Sequence, residues 1–175
     1  NGGSGFYGGA DNIRKVDKKT YYDWPNTYSL IRKLQPNAVI FSDSGPDIRW
    51  VGNEKGYANK TTWSNIYRDS VYTGMVDYSK FSSGQENGTH YIPTETDVSI
   101  RPGWYYHPEQ DDKVKSLEKL IDIYFNSVGL NSSLLLNIPV DTRGLIHEND
   151  AKRMIELNNY LKSTFKNNLI TNSKI

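Results

Sequence analysis

Ser133-Leu134-Leu135-Leu136-Asn137-Ile138, closed by Pro139, decides the fold class. A run this apolar and this short reads as a strand of a parallel sheet, with helices on one side and core on the other. Upstream of it, Val114, Leu117, Leu120, Ile121 and Tyr124 recur at helical spacing. They predict a helix from Gln110 to about Val128, with Gly129 as its C-cap. Downstream, a helix is predicted to begin near Asn149 or Asp150 and to bury Met154, Ile155, Leu157, Leu161 and Phe165. Further back, Asp97-Val98-Ser99-Ile100 reads as a strand stopped by Arg101-Pro102-Gly103, and Ala38-Val39-Ile40-Phe41 as another, stopped by the turn residues Ser42 to Asp47. Pro25 opens a helix with Tyr28, Leu30, Ile31 and Leu34 on its apolar face, and Gln35-Pro36 ends it. Residues 48–94 show little periodicity and read as a long loop region, shortened by helical turns near Thr61 to Arg68. The order from Pro25 is helix, strand, long loop, strand, helix, strand, helix, which predicts an α/β fold with a parallel sheet or barrel.

Composition narrows the rest. The chain has 175 residues, whereas a complete (β/α)8 barrel takes about 250, so a barrel reading implies that part of the barrel lies outside it. Charge is balanced, with 21 Lys+Arg against 20 Asp+Glu, and no long run of either sign argues for nucleic acid or an anionic membrane as partner. Cysteine is absent, which excludes disulfides, zinc-thiolate sites and thiol nucleophiles. The apolar runs are too short to span a bilayer. The opening Asn1-Gly2-Gly3-Ser4-Gly5, without Met, reads as a cut or processed start to an irregular segment over residues 1–20. The 13 Tyr and 4 Trp fit either an aromatic-rich core or a sugar site, where flat rings cover the apolar face of a pyranose.

In an α/β barrel, functional groups sit in the loops after the C-terminal ends of the strands. The first such loop carries Asp43, Asp47, Arg49, Trp50, Asn53 and Glu54. Carboxylates beside an Arg and a Trp suit glycoside cleavage, where one carboxyl protonates the leaving oxygen and another faces the anomeric carbon. Taken singly, Asp43 and Asp47 also read as turn or cap residues, and Glu54 as solvent-facing. The second loop holds Arg101, Trp104, Tyr105, Tyr106, His107 and Glu109. Trp104, on a turn, requires either a core slot or a ligand, and His107 suits acid/base chemistry or hydrogen bonding, although a lone His beside Pro108 is more often structural. The third holds Asn137, Asp141 and Arg143, with an Asp141 to Arg143 turn bridge as its plainest explanation. His90, His107 and His147 show no metal-ligand spacing, and the N-terminal glycines lack the phosphate-loop pattern.

Four ordered motifs carry a resemblance. Leu34-Gln35-Pro36-Asn37-Ala38-Val39-Ile40-Phe41-Ser42-Asp43, Gly45-Pro46-Asp47-Ile48-Arg49-Trp50-Val51-Gly52-Asn53-Glu54, Asp97-Val98-Ser99-Ile100-Arg101-Pro102-Gly103-Trp104-Tyr105-Tyr106-His107, and Ser133 to Pro139 with Asp141 and Arg143-Gly144-Leu145 together resemble family 29 glycoside hydrolases, the α-L-fucosidases. Among these they most resemble the subgroup acting on α-1,3- and α-1,4-linked fucose in branched glycans. The resemblance implies that residues 21–170 are the C-terminal half of a (β/α)8-like catalytic barrel, with 171–175 a tail or linker. It further implies a retaining mechanism with Glu54 as acid/base. Its nucleophile, an Asp in a Trp-x-Asp-Gly segment, has no counterpart in this sequence and is expected immediately before Asn1, so the chain alone is expected to be inactive. Substrate contacts are expected from Asp47, Trp50, Arg101, Trp104 and His107. No metal or organic cofactor is implied. The implied partners are a fucosylated oligosaccharide, the N-terminal half of the barrel and a C-terminal β-sandwich, in a secreted or periplasmic protein. A non-catalytic glycan-binding homologue and a structural half-barrel remain the alternatives.

Overall fold

The computed structural model describes residues 17, 20–42, 45–72 and 82–168. Most of the expected irregular opening, all of the tail, and Asp43 lie outside the described residues. Helix α1 spans Trp24–Leu34, with Pro25 in its first turn as predicted. Strands β1 (Phe41–Ser42), β2 (Ile48–Trp50), β5 (Thr94–Ser99) and β6 (Ser132–Asn137) form a parallel sheet in that order. Between β2 and β5 an excursion carries a small antiparallel pair, β3 (Asn65–Ile66) and β4 (His90–Tyr91). Helix α2 (Leu117–Ser127) joins β5 to β6, and α3 (Glu148–Thr164) follows β6.

The register of β5 on β6 runs from Thr94 opposite Ser132 to Ser99 opposite Asn137. Side chains alternate across a strand. On one face, Val98 and Ile100 are buried against Leu120 and Ile123 of α2 and Leu157 of α3, joined by Leu134, Leu136 and Ile138. Glu95 and Asp97 therefore turn to the other face, as do Ser133 and Leu135, both exposed. Helices α2 and α3 cover one side of the sheet, and the opposite side carries the carboxylates Glu95 and Asp97.

Several boundaries differ from the sequence reading. Ala38 to Ile40 do not form a strand, because Asp47 folds back on this segment: its carboxylate accepts from the Ile40 N–H at 2.6 Å, and the Ile40 carbonyl accepts from the Asp47 and Ile48 N–H groups. Strand β2, absent from the sequence reading, begins directly after that turn. The turns expected near Thr61 to Arg68 are instead β3 and a 3-10 turn at Arg68–Ser70. Helix α2 starts only at Leu117, where the Ser116 hydroxyl caps it by accepting from the Lys119 N–H. Residues 108–110 form a separate 3-10 turn. At its other end the left-handed residue is Asn131 (φ 62°), since a 3-10 turn over Val128–Leu130 continues past Gly129. Ile155 and Phe165 of the last helix segment, and Leu30 and Leu34 of α1, are exposed rather than buried.

The excursion is pinned to the sheet by Arg49. This β2 side chain is buried, and its guanidinium donates to the carbonyls of Ile92 (3.2 Å), Ser82 (2.8 Å) and Trp63 (2.6 Å). Gly84 makes the approach possible: at φ +70°, a Cβ there would lie 2.1 Å from the Trp63 carbonyl oxygen. Ile66, Val71 and Ile92 form the small core beneath this unit.

Candidate active site

Glu54 is carried on the loop leaving β2, between Gly52 (φ +96°) and Gly56 (φ +77°). Both glycines adopt backbone conformations that cost other residues steric strain. The Asn53 side chain braces the turn, accepting from the Lys55 N–H at 3.0 Å and donating to the Tyr57 carbonyl at 2.9 Å. The loop thereby presents an exposed Glu54 side chain, and its Oε2 accepts a hydrogen bond from Trp104 Nε1 at 3.0 Å.

A second aromatic and carboxylate pair lies alongside. Trp50, opposite Glu95 in the β2 to β5 register, donates its Nε1–H to Asp97 Oδ1 at 2.6 Å. Trp50, Glu54 and Asp97 line one cavity of about 470 Å³, with Trp24, Tyr28 and Ile31 of α1 on its apolar wall. Burial pushes the Asp97 carboxyl above its ordinary value; the Trp50 N–H opposes this and the charge of Glu54 reinforces it. Glu95 is raised for the same first reason, burial, with the charge of Asp97 adding to it. Two carboxylates within one concave, half-apolar site can divide proton transfer and charge stabilisation between them.

Of the residues nominated from the sequence, the structure thus brings Glu54, Trp50 and Trp104 together. It places the others elsewhere. Asp47 binds Arg32 through both carboxylate oxygens at 2.5 Å, and that hydrogen bond holds it below the ordinary carboxylate range. Arg101 is completely buried, with Nε on Asp150 at 2.8 Å, Nη1 on Asp111 at 2.8 Å and the Tyr106 ring 4.9 Å away. An arginine enclosed in this way fixes the start of α3 against the loop after β5 and has no surface for a ligand. His107 is exposed, 3.7 Å from Glu109, and precedes the 3-10 turn at Pro108–Gln110 in the same loop. The Asp141 to Arg143 bridge forms as expected, at 2.6 Å, and is local to its turn.

Asp97 was missed as a site residue. Its signal was available, since a carboxylate stands in a strand whose alternate positions, Thr96 and Val98, face the core. Among the described residues, no group of three or more His, Asp or Glu side chains is arranged to hold a metal ion.

Comparison with known proteins places this geometry in a family. Residues 7–165 match the family model described as Alpha-L-fucosidase. The chain is 44% identical over 162 residues to Alpha-L-fucosidase 1 of Arabidopsis thaliana, covering 92% of this chain and 31% of that protein. Its structure is similar to a glycoside hydrolase 29 family member from an unknown rumen bacterium, with a TM-score of 0.84 and 47% identity over 99% of this chain and 31% of the other. It is also similar to a Ruminococcus gnavus GH29 fucosidase in complex with fucose, with a TM-score of 0.75 and 29% identity over 93% of this chain and 33% of that one. The chain therefore spans about a third of the length of these relatives. It belongs to the alpha-L-fucosidases of glycoside hydrolase family 29.

Proposed function

We propose that this chain is the acid/base-bearing, C-terminal portion of a (β/α)8-like barrel that hydrolyses terminal α-L-fucose with retention, acting on α-1,3 and α-1,4 linkages of branched glycans outside the cytoplasm. The observation that carries the reading is the Glu54 carboxyl, held by the Trp104 indole at 3.0 Å on the wall of a cavity shared with Asp97 and Trp50. The family match and the Ruminococcus relative solved with fucose support it.

A carboxylate nucleophile supplied by polypeptide outside this chain attacks the anomeric carbon as the bond to the leaving oxygen breaks, and the Glu54 proton passes to that oxygen. Water then attacks the same carbon, gives its proton to Glu54 and releases the nucleophile. The apolar wall from Trp24, Ile31, Ile40 and Phe41 suits a sugar whose C6 is a methyl group. Trp50 and Trp104 cover the ring, and the exposed His107 of the loop after β5 is a further candidate contact. Asp47 and Arg101 act by holding the strand and loop that present these groups.

The test is release of fucose from an α-1,3/1,4-fucosylated oligosaccharide by the full-length protein and by Glu54→Ala. A fall of about 10²-fold or more is expected for loss of general acid/base catalysis. Full activity in the variant would assign the role to another carboxylate, with Asp97 the next candidate. Binding of the oligosaccharide without any release by the parent would make the protein a glycan-binding homologue.

A further inference from the structure

Glu54 is exposed and loop-borne, so the orientation of its carboxyl depends on Trp104, and Trp104 lies in a loop of its own. That loop is held from the sheet. The Trp104 carbonyl accepts from Asn137 Nδ2 at 3.0 Å, and the same amide nitrogen donates to Ser99 Oγ at 3.0 Å. Ser99 in turn gives its one hydroxyl proton to the Gly103 carbonyl at 2.7 Å. A carbonyl cannot donate, so the nitrogen of the Asn137 amide must face Trp104, and both its hydrogens are used. Asn137 and Ser99 stand opposite one another as the last residues of β6 and β5. Lys115 Nζ, on the carbonyls of Ser99 (2.6 Å) and Arg101 (3.3 Å), closes the base of the loop. Two consecutive peptide carbonyls are thus fixed to the rigid end of the sheet, and the indole between them and Glu54 has little freedom to drift.

We infer that Asn137, with Ser99, is a positioning residue that acts through Trp104 to aim the Glu54 carboxyl at the leaving oxygen. This rests on Glu54 being the acid. A group that only aims the acid matters when the leaving group must be protonated, and matters little when it departs unaided.

The experiment compares kcat/KM of the full-length protein on a fucosylated sugar and on a dinitrophenyl fucoside, whose phenolate leaves without protonation. Asn137→Asp, Ser99→Ala and Glu54→Gln are measured alongside, with unfolding midpoints for each. Asn137→Asp keeps the shape but turns a donor into an acceptor against the Trp104 carbonyl. It is expected to lower kcat/KM about 10-fold or more on the sugar substrate and far less on the dinitrophenyl fucoside, the scale of a misplaced catalytic group. Ser99→Ala, which removes no donor to Trp104, is expected to show the same selectivity at smaller size and serves if Asn137→Asp does not fold. Equal losses on both substrates, or no loss, would overturn the inference. If Glu54→Gln itself shows no dependence on the leaving group, the acid assignment fails; if Glu54→Gln shows it and the other two variants do not, only the positioning role fails.

Discussion

At the scale of single residues, the site departs from what stability alone would select. Asp97 is half-buried, and burial raises its proton affinity over the ordinary value of 3.8. A carboxyl raised in the folded state binds more protons than in the unfolded chain, so its contribution to stability falls as pH rises through and above 3.8. Asp97→Asn keeps the oxygen that accepts from Trp50 and removes the charge. It is expected to raise the unfolding midpoint at neutral pH, the gain shrinking to nothing once the pH lies below 3.8, while, on the proposed function, fucose release by the full-length protein falls. A neutral-pH midpoint unchanged from the parent would show that Asp97 carries no such cost. Asp97 and Glu54 come from positions that sequence spacing does not relate, so a carboxylate in a strand can be singled out from the sequence but not paired with Glu54.

At the scale of elements, the Glu54 loop is fastened to the core at one glycine. A Cβ on Gly56 would stand 2.8 Å from Ile123 Cγ2 and 2.9 Å from Val98 Cγ1, between α2 and β5, at φ +77°. Gly56→Ala combines backbone strain with overpacking and is expected to cost about 2 kcal/mol or more in denaturant unfolding. Gly144 offers the control: it has a similar φ of +76° with nothing within 4 Å of its Cβ position, so Gly144→Ala carries the strain alone, about 1 to 2 kcal/mol. Equal costs at the two sites would mean that contact with Ile123 and Val98 is relieved by small shifts. Element types were readable where periodicity was strong, as in α1, β6 and α3, whereas β2 and β3 span only Ile48–Trp50 and Asn65–Ile66 and owe their pairing to partners remote in sequence. The same limit explains α2, whose predicted start at Gln110 followed apolar spacing while the Ser116 cap set the real one.

At the scale of the whole molecule, two sets of carboxylates pull stability in opposite directions with pH. Asp47, Asp122 and Asp141 lie below the ordinary 3.8 because hydrogen bonds from Arg32, Tyr57 and Arg143 favour their charged forms. Their contribution is present above 3.8 and is lost as pH falls through their lower folded values. Asp97 and Glu95, raised by burial from 3.8 and 4.5, lose theirs as pH rises. The unfolding midpoint is therefore expected to climb out of strong acid and then to sag as Asp97 and Glu95 ionise. Repeating the titration with Asp97→Asn should flatten the sag, and an unaltered curve would detach it from the site.

By itself the sequence determined the helix and strand types of the strongly periodic segments, the parallel α/β class and the family through four ordered motifs, and through that resemblance it nominated Glu54 for the acid/base role. Such features are local: apolar period, turn residues and short motifs are written within a few positions. Only the tertiary structure decided which nominated groups meet. The Trp50 to Asp97 and Trp104 to Glu54 hydrogen bonds join residues 47 and 50 positions apart. Parallel pairing of β2 with β5 sets Trp50 beside Asp97's strand and the Glu54 loop beside the loop after β5, and that pairing leaves no trace in local spacing. The same packing took Arg101 out of contact with any ligand and brought Asn137, at the end of the most legible strand, under the loop that holds Trp104.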